Sequence, residues 1–176
     1  YPSPVIASDN SLGGYSQFAG RLYVSYVTKS RDATTNTDIA LAYSDDGGNT
    51  WQTDSNKVND DDAVTDGFSG SIGANGDRSQ YEPAIAVDPT NGTLVMSWYD
   101  ARYDAADARV ARFVPTSIDG GASFGAQTYL NQPNQVYDAI SGQATNLGPI
   151  PDNFSTGNPG AQGQFYEGTQ QGLAVF

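Results

Sequence analysis

One run of short strands, punctuated by the same turn, occurs twice in this chain, and that repetition limits the fold more than any other feature. The first unit opens with Pro4-Val5-Ile6-Ala7-Ser8-Asp9 and the second with Pro83-Ala84-Ile85-Ala86-Val87-Asp88. Each opening is apolar, β-prone and ends at an aspartate before turn residues. A second strand follows, Gly20-Arg21-Leu22-Tyr23-Val24-Ser25-Tyr26 in one unit and Gly92-Thr93-Leu94-Val95-Met96-Ser97-Trp98 in the other. Leucine, the central apolar residue and the final aromatic share a face under the two-residue period of a strand. The turn before the second copy contains Asn91-Gly92, a strong hairpin signal. Third strands read Asp38-Ile39-Ala40-Leu41-Ala42-Tyr43-Ser44 and Arg109-Val110-Ala111-Arg112-Phe113-Val114. Short fourth strands are expected near Lys57-Val58-Asn59 and Gln127-Thr128-Tyr129-Leu130.

Both third strands run into one turn pattern, S-x-D-x-G-x-[ST]-aromatic. The first copy uses Ser44, Asp46, Gly48 and Trp51; the second uses Ser117, Asp119, Gly121 and Phe124. The chemistry of the pattern is local. An aspartate can accept backbone N–H groups inside a tight loop. Glycine permits a positive φ. The hydroxyls can cap loop backbone, and the aromatic is expected to return the chain to the sheet and pack between strands. These are structural roles.

Four strands per unit with one turn at a fixed place is the signature of a propeller blade. The fold class predicted is all-β: a β-propeller fragment of two four-stranded antiparallel blades, 1–66 and 67–130, each with its turn. Residues 131–166 are rich in Gln, Asn, Pro and Gly and read as a loop or connection. Residues 167–176 resemble the opening strand of a third blade. A propeller closes only with about four or more blades. The expected partners are therefore remaining blades beyond Phe176 or neighbouring chains that cover the open faces and edges.

Composition removes whole classes of function. The chain of 176 residues contains no Cys and no His, so disulfides, Ser-His-Asp or Cys-His machines and common zinc sites are out. Catalysis would have to rest on carboxylates, Tyr or Arg. With 20 acids against 8 bases the net charge is −12, which argues against nucleic acid as a partner. No apolar run is long enough to insert in a membrane. An acidic surface suits a secreted, extracellular protein, and the opening Tyr1-Pro2-Ser3-Pro4 reads as that of a mature or excised segment.

On its paired turns the chain resembles the sialidase-like, Asp-box (bacterial neuraminidase repeat) propellers, over residues 1–130 and again 167–176. The resemblance implies that the Asp-box is a structural turn on the blade periphery, away from any active site. Sialidases of this fold use three arginines on the substrate carboxylate, a Tyr–Glu nucleophile pair and an Asp acid/base. Arg21, Arg31, Arg78, Arg102, Arg109 and Arg112 are the arginines here, and none lies in an Arg-Ile-Pro motif. No catalytic residue is carried over. Two well-formed units without a recognisable catalytic set read as an extracellular, non-catalytic module that displays loops for glycan or protein binding, or for assembly. Two alternatives stand beside it: part of a sialidase-type glycoside hydrolase whose catalytic blades lie outside this segment, and a structural subunit of a secreted assembly.

Two clusters invite a functional reading. Tyr99, Asp100 and Arg102 end a core strand and enter a loop. They can face a ligand in a propeller mouth, or Asp100 and Arg102 can pair to brace the loop. Asp60, Asp61 and Asp62 form the densest acid run, an oxygen-rich loop that can hold calcium or simply be solvated. Asp100, Asp104 and Asp107 form a weaker second cluster. Asn91-Gly92-Thr93 and Asn153-Phe154-Ser155 match the N-glycosylation pattern, the first more simply read as a hairpin turn.

Overall fold

The computed structural model describes residues 4–29, 37–53, 58–60, 79–102, 110–130, 135–137, 144–146 and 173–175. Among the described residues there are ten strands and no helix. Strands β1 (Val5–Ser8), β2 (Leu22–Lys29) and β3 (Thr37–Ser44) form one antiparallel sheet in that order. Ala7 lies opposite Tyr23, and Ser25 opposite Leu41. The second sheet runs β4 (Gln80–Val87), β5 (Leu94–Asp100), β6 (Ala111–Val114) and β8 (Thr128–Tyr129), with β7 (Thr116–Ser117) also paired to β5. Pro115 separates β6 from β7 because it has no N–H to donate. Its carbonyl still accepts from the Met96 amide at 3.2 Å, so β6 and β7 are one interrupted third strand. The β4–β5 turn closes with the Gly92 amide donating to the Asp88 carbonyl at 2.9 Å, Gly92 adopting a φ of +78°.

One expectation changes, and two segments are described only in part. The first sheet has no continuous fourth strand among the described residues. An isolated bridge joins Gln52 to Tyr43, and the Val58 amide donates to the Ile39 carbonyl at 2.8 Å. Asn59, instead of continuing a ladder, uses its side-chain oxygen to accept from the Ile39 amide at 2.9 Å. Residues 173–175, the described part of the expected third-blade strand, lie outside any strand. Within 131–166, read as a connection, β9 (Gln135–Tyr137) pairs antiparallel with β10 (Ala144–Asn146).

The core lies between the two sheets. Tyr23, Ile39 and Leu41 from the first meet Ile85, Leu94, Met96, Trp98, Ala111 and Phe113 from the second, with Val58 at the margin. Trp98, Phe113, Leu94 and Met96 are fully buried. Burying such a side chain stabilises by roughly 1.5–3 kcal/mol relative to leaving it exposed.

The two sheets do not meet by equivalent faces. In β5 the inward residues are Leu94, Met96 and Trp98, whose repeat counterparts in β2 are Leu22, Val24 and Tyr26. Yet β2 turns Tyr23, Ser25 and Val27 toward the core, and Leu22, Val24 and Tyr26 away from it. The packing is therefore head-to-tail: one face of the first unit meets the opposite face of the second. Both outer faces keep apolar character, in Leu22, Val24 and Tyr26 on one side and Ala86, Val95 and Val114 on the other.

Candidate functional site

The two turns at the ends of β3 and β7 are nearly superposable in their bonding. In the first, the Ser44 hydroxyl donates to Asp46 Oδ1 at 2.8 Å and accepts from the Gly48 amide at 2.9 Å. Asp46 then accepts from the Thr50 amide at 2.8 Å and the Thr50 hydroxyl at 2.6 Å. In the second, Ser117, Asp119, Gly121 and Ser123 make the same four bonds at 2.8, 2.9, 2.9 and 2.5 Å. Gly48 and Gly121 have φ of +92° and +90°, conformations open to glycine and costly for residues with a Cβ. The Thr50 hydroxyl and amide, with Ser44, pull the Asp46 carboxyl from 3.8 down to about 2. Burial pushes Asp119 up, but the Ser123 and Ser117 bonds prevail and its pKa is lowered. The aromatics differ. Phe124 packs against the core, whereas Trp51 is 37% exposed and donates its indole N–H to the Gly48 carbonyl at 3.0 Å. Among the described residues only the Tyr43–Gln52 bridge and the Val58 amide lie along that edge of β3, and Trp51 stays partly exposed there.

Arg21 links the two turns. It forks onto Asp45 with Nε–Oδ1 at 2.7 Å and Nη2–Oδ2 at 2.8 Å, and donates Nη1 to the Gly120 carbonyl at 3.0 Å. Its guanidinium lies 4.0 Å from the Tyr43 ring centroid and 4.5 Å from that of Phe18. Planar stacking combined with a forked pair is arginine chemistry that lysine cannot reproduce.

At the other end of the sheets a buried polar network joins the two units. Gln80 lies opposite Asp100 across β4 and β5. The Asn59 side-chain amide donates to Asp38 at 3.0 Å and to Gln80 at 3.2 Å, and Gln80 donates to Asp100 Oδ1 at 3.3 Å. Asp100 Oδ2 accepts from Trp98 Nε1 at 3.0 Å and from Arg102 Nε and Nη2 at 2.9 and 2.7 Å. Arg102 also reaches Asp60 at 2.5 Å and Gln127 at 2.9 Å, and its guanidinium lies 4.4 Å from the Phe113 ring centroid. Asp38, Asn59, Gln80, Asp100 and Arg102 are all buried. Buried ions persist only when paired and hydrogen-bonded, as these are.

The candidate residues fall as follows. Asp100 and Arg102 are turned into this network and do not open to solvent as a ligand-facing pair. Tyr99 lies on the opposite side of β5, half-buried, its ring 5.7 Å from that of Tyr81 and 5.2 Å from the Arg112 guanidinium. Asp60 is exposed and ion-paired with Arg102, so a cation there would compete with an arginine. Asp61, Asp62, Asp104 and Asp107 lie outside the described residues, as does Asn153. Among the described residues no three acids come together as a metal site. A cavity of about 300 Å³ opens beside Asp60, lined by Val58, Asn59, Ser123, Phe124 and Gln127. Burial pushes the Tyr23 phenol up to about 12.

Sequence reasoning missed Asp38, Asn59, Gln80 and Gln127. Their signal was weak: amides and acids at strand ends, where turn residues also concentrate. It also missed Glu82, which has a φ of +50° and lies where the β4–β5 register shifts between Tyr81 and Ala84.

No protein-family model matches the sequence, and no curated protein does. Matches among solved structures include two at low identity. One is the Hadza microbial sialidase Hz136, with TM-score 0.49 and 18% identity over 72% of this chain and 25% of that one. The other is a protein of unknown function from Dyadobacter fermentans DSM 18053, with TM-score 0.46 and 15% identity over 82% of this chain and 40% of that one. The chain thus spans a quarter of the first and two fifths of the second. Among the described residues, no helix is long and apolar enough to cross a membrane.

Proposed function

We propose that the chain is an extracellular, propeller-type module without catalytic activity, whose strand-end surface binds glycans or proteins. The observation that carries this reading is the buried Asp100–Arg102 network. The buried Asp100–Arg102 pair is held by Trp98, Gln80, Gln127 and Asp60, which supports its reading as a brace that rigidifies a platform. The half-buried rings of Tyr81 and Tyr99 supply apolar surface of the kind sugars stack on. The test pairs a fluorogenic sialoside with an array of neutral and sialylated glycans. The expected result is no turnover above the buffer blank and binding to a subset of the array. Turnover by this chain would replace the proposal with that of a hydrolase.

A second reading, a structural subunit of a secreted assembly, is favoured by the head-to-tail packing of the two units. A heterologous contact can repeat on both outer faces, with further blades of one chain or with neighbouring chains. Sedimentation at rising concentration tests it: growth in mass supports assembly between chains, and a constant monomer excludes it.

A further inference from the structure

The repeat supplies an internal control for one sheet face. On the side of the second unit that meets the first, Ile85 is 6% exposed, and Leu94, Met96 and Trp98 are fully buried. Their counterparts by repeat position in the first unit are Ile6, Leu22, Val24 and Tyr26. The pairing agrees with this alignment: Ile6 lies opposite Val24 as Ile85 lies opposite Met96. Yet Ile6 is 64% exposed, and Leu22, Val24 and Tyr26 are only half-buried. The same apolar positions are covered in one unit and open in the other. Apolar surface left in water drives association.

The complementary half of that interface is also present and open. Inside the chain the covering face is built from Tyr23, Val27, Ile39 and Leu41. The same positions in the second unit are Val95, Tyr99, Arg112 and Val114, and all four are half-buried on its outer side. Here too the ladders agree, since Tyr99 lies opposite Arg112 as Val27 lies opposite Ile39. Arg112 lies over the Tyr99 ring at 5.2 Å and donates to the Ser97 hydroxyl at 2.7 Å, so its guanidinium is held along its own face. The turns repeat the contrast. A Cβ on Gly121 would come within 2.5 Å of Leu41 in the other unit, whereas one on Gly48 has Leu22 and Trp51 of its own unit as nearest neighbours, at 3.7 and 3.8 Å. Val114 is the residue that corresponds to Leu41.

We infer that the open face of β1, β2 and β3, carrying Ile6, Leu22, Val24 and Tyr26, docks the outer face of β4, β5 and β6 of a second copy of this chain. A second copy is the occupant because the two open faces are the two halves of an interface that each chain already makes within itself. The contact is heterologous, so copies add head to tail into a ring or a filament. The inference rests on the assembly reading above and names its surfaces. The contact between copies is weaker than the one inside the chain. Thr93 stands at the place of Arg21, whose guanidinium reaches the Gly120 carbonyl across the internal interface. A charge of −12 on each copy also opposes association, and salt relieves that repulsion.

The test uses the purified chain at physiological ionic strength, read by sedimentation over rising concentration, with Ile6→Glu on one face and Val95→Glu on the other. Circular dichroism and thermal melting check that each variant folds, and Val114→Glu replaces Val95→Glu should the latter unfold. The wild type should grow beyond the monomer mass. Each variant alone should associate roughly tenfold or more weakly, because a carboxylate would be buried in the contact. An equimolar mixture of the two variants should form a dimer and nothing larger, since one pair of intact faces remains. Association that persists in either variant alone means that like faces or other surfaces meet; it overturns the inference and leaves the assembly reading standing. A mixture that stays monomeric while the wild type assembles overturns the pairing of these two faces. A wild type that stays monomeric removes the inference and the assembly reading together.

Discussion

Asp46 and Asp119 each gather two or more donors from a single turn, and this gives the turns a pH dependence of definite sign. A carboxyl whose pKa is depressed in the folded state stabilises above its unfolded value and loses that contribution as pH falls through the folded value. For Asp46 the window runs from 3.8 down to about 2. Asp88, lowered chiefly by the Thr90 hydroxyl, and Asp119 act in the same direction. The melting temperature should therefore be flat down to about pH 4 and fall below it, and Asp46→Asn should make that fall shallower. Scanning calorimetry between pH 2 and 6 checks this; an unchanged slope in the variant would refute it. At the other end of the sheets Asp100 answers to a different principle. Its side chain is fully buried against Arg102, and removing one partner of a buried pair typically costs about 3–5 kcal/mol. Urea denaturation of Asp100→Ala should show a loss of that order. Replacing both partners by apolar residues should recover part of it.

The strand-and-turn units differ in what they touch, although their sequences match. A Cβ added at Gly48 would meet Leu22 and Trp51 no closer than 3.7 Å, so Gly48→Ala carries little beyond backbone strain, about 1–2 kcal/mol. A Cβ at Gly121 would come within 2.5 Å of Leu41 in the other sheet. Gly121→Ala should therefore cost about 1–3 kcal/mol more than Gly48→Ala, from the displaced core side chain. Equal losses in chemical denaturation would mean that the second turn is not packed against the first sheet. The same asymmetry explains what could be read from the residues. The S-x-D-x-G-x-[ST] spacing dictates the turn bonds because they are local, within four residues. Pattern placed Val58 in a fourth strand and Trp51 between strands, but what forms along the edge of β3 is decided by tertiary contacts there. There Asn59 satisfies the Ile39 amide with its side chain. The Glu82 bulge is similarly silent in sequence. Alternation through Tyr81-Glu82-Pro83-Ala84 gives no sign that two residues must oppose one.

For the whole molecule, a net charge of −12 means self-repulsion that compact folding must overcome. Raising ionic strength from low to physiological values should raise the melting temperature through screening, whichever monovalent salt is used. Calcium at matched ionic strength discriminates further. A rise beyond the salt effect would support the ion site expected at Asp60, Asp61 and Asp62, and no additional rise would end that proposal. The head-to-tail packing of the sheets bears on the same scale. Val24 and Tyr26 on one outer face, and Val95 and Tyr99 on the other, repeat the residue pattern of the buried interface.

By itself the sequence determined that the chain is all-β, that it is built from a repeated unit, and that each third strand ends in the same aspartate-centred turn. Those features depend on period-two alternation and on bonds between near neighbours, which local chemistry dictates. Only the tertiary structure decided which face of each unit is buried, since both faces of these strands are apolar. It also placed Asp100 and Arg102 inside the fold, through partners such as Gln80, Asn59 and Gln127 that are distant in the chain. Contacts of that range are chosen by how the two sheets meet, and no short pattern of residues encodes them.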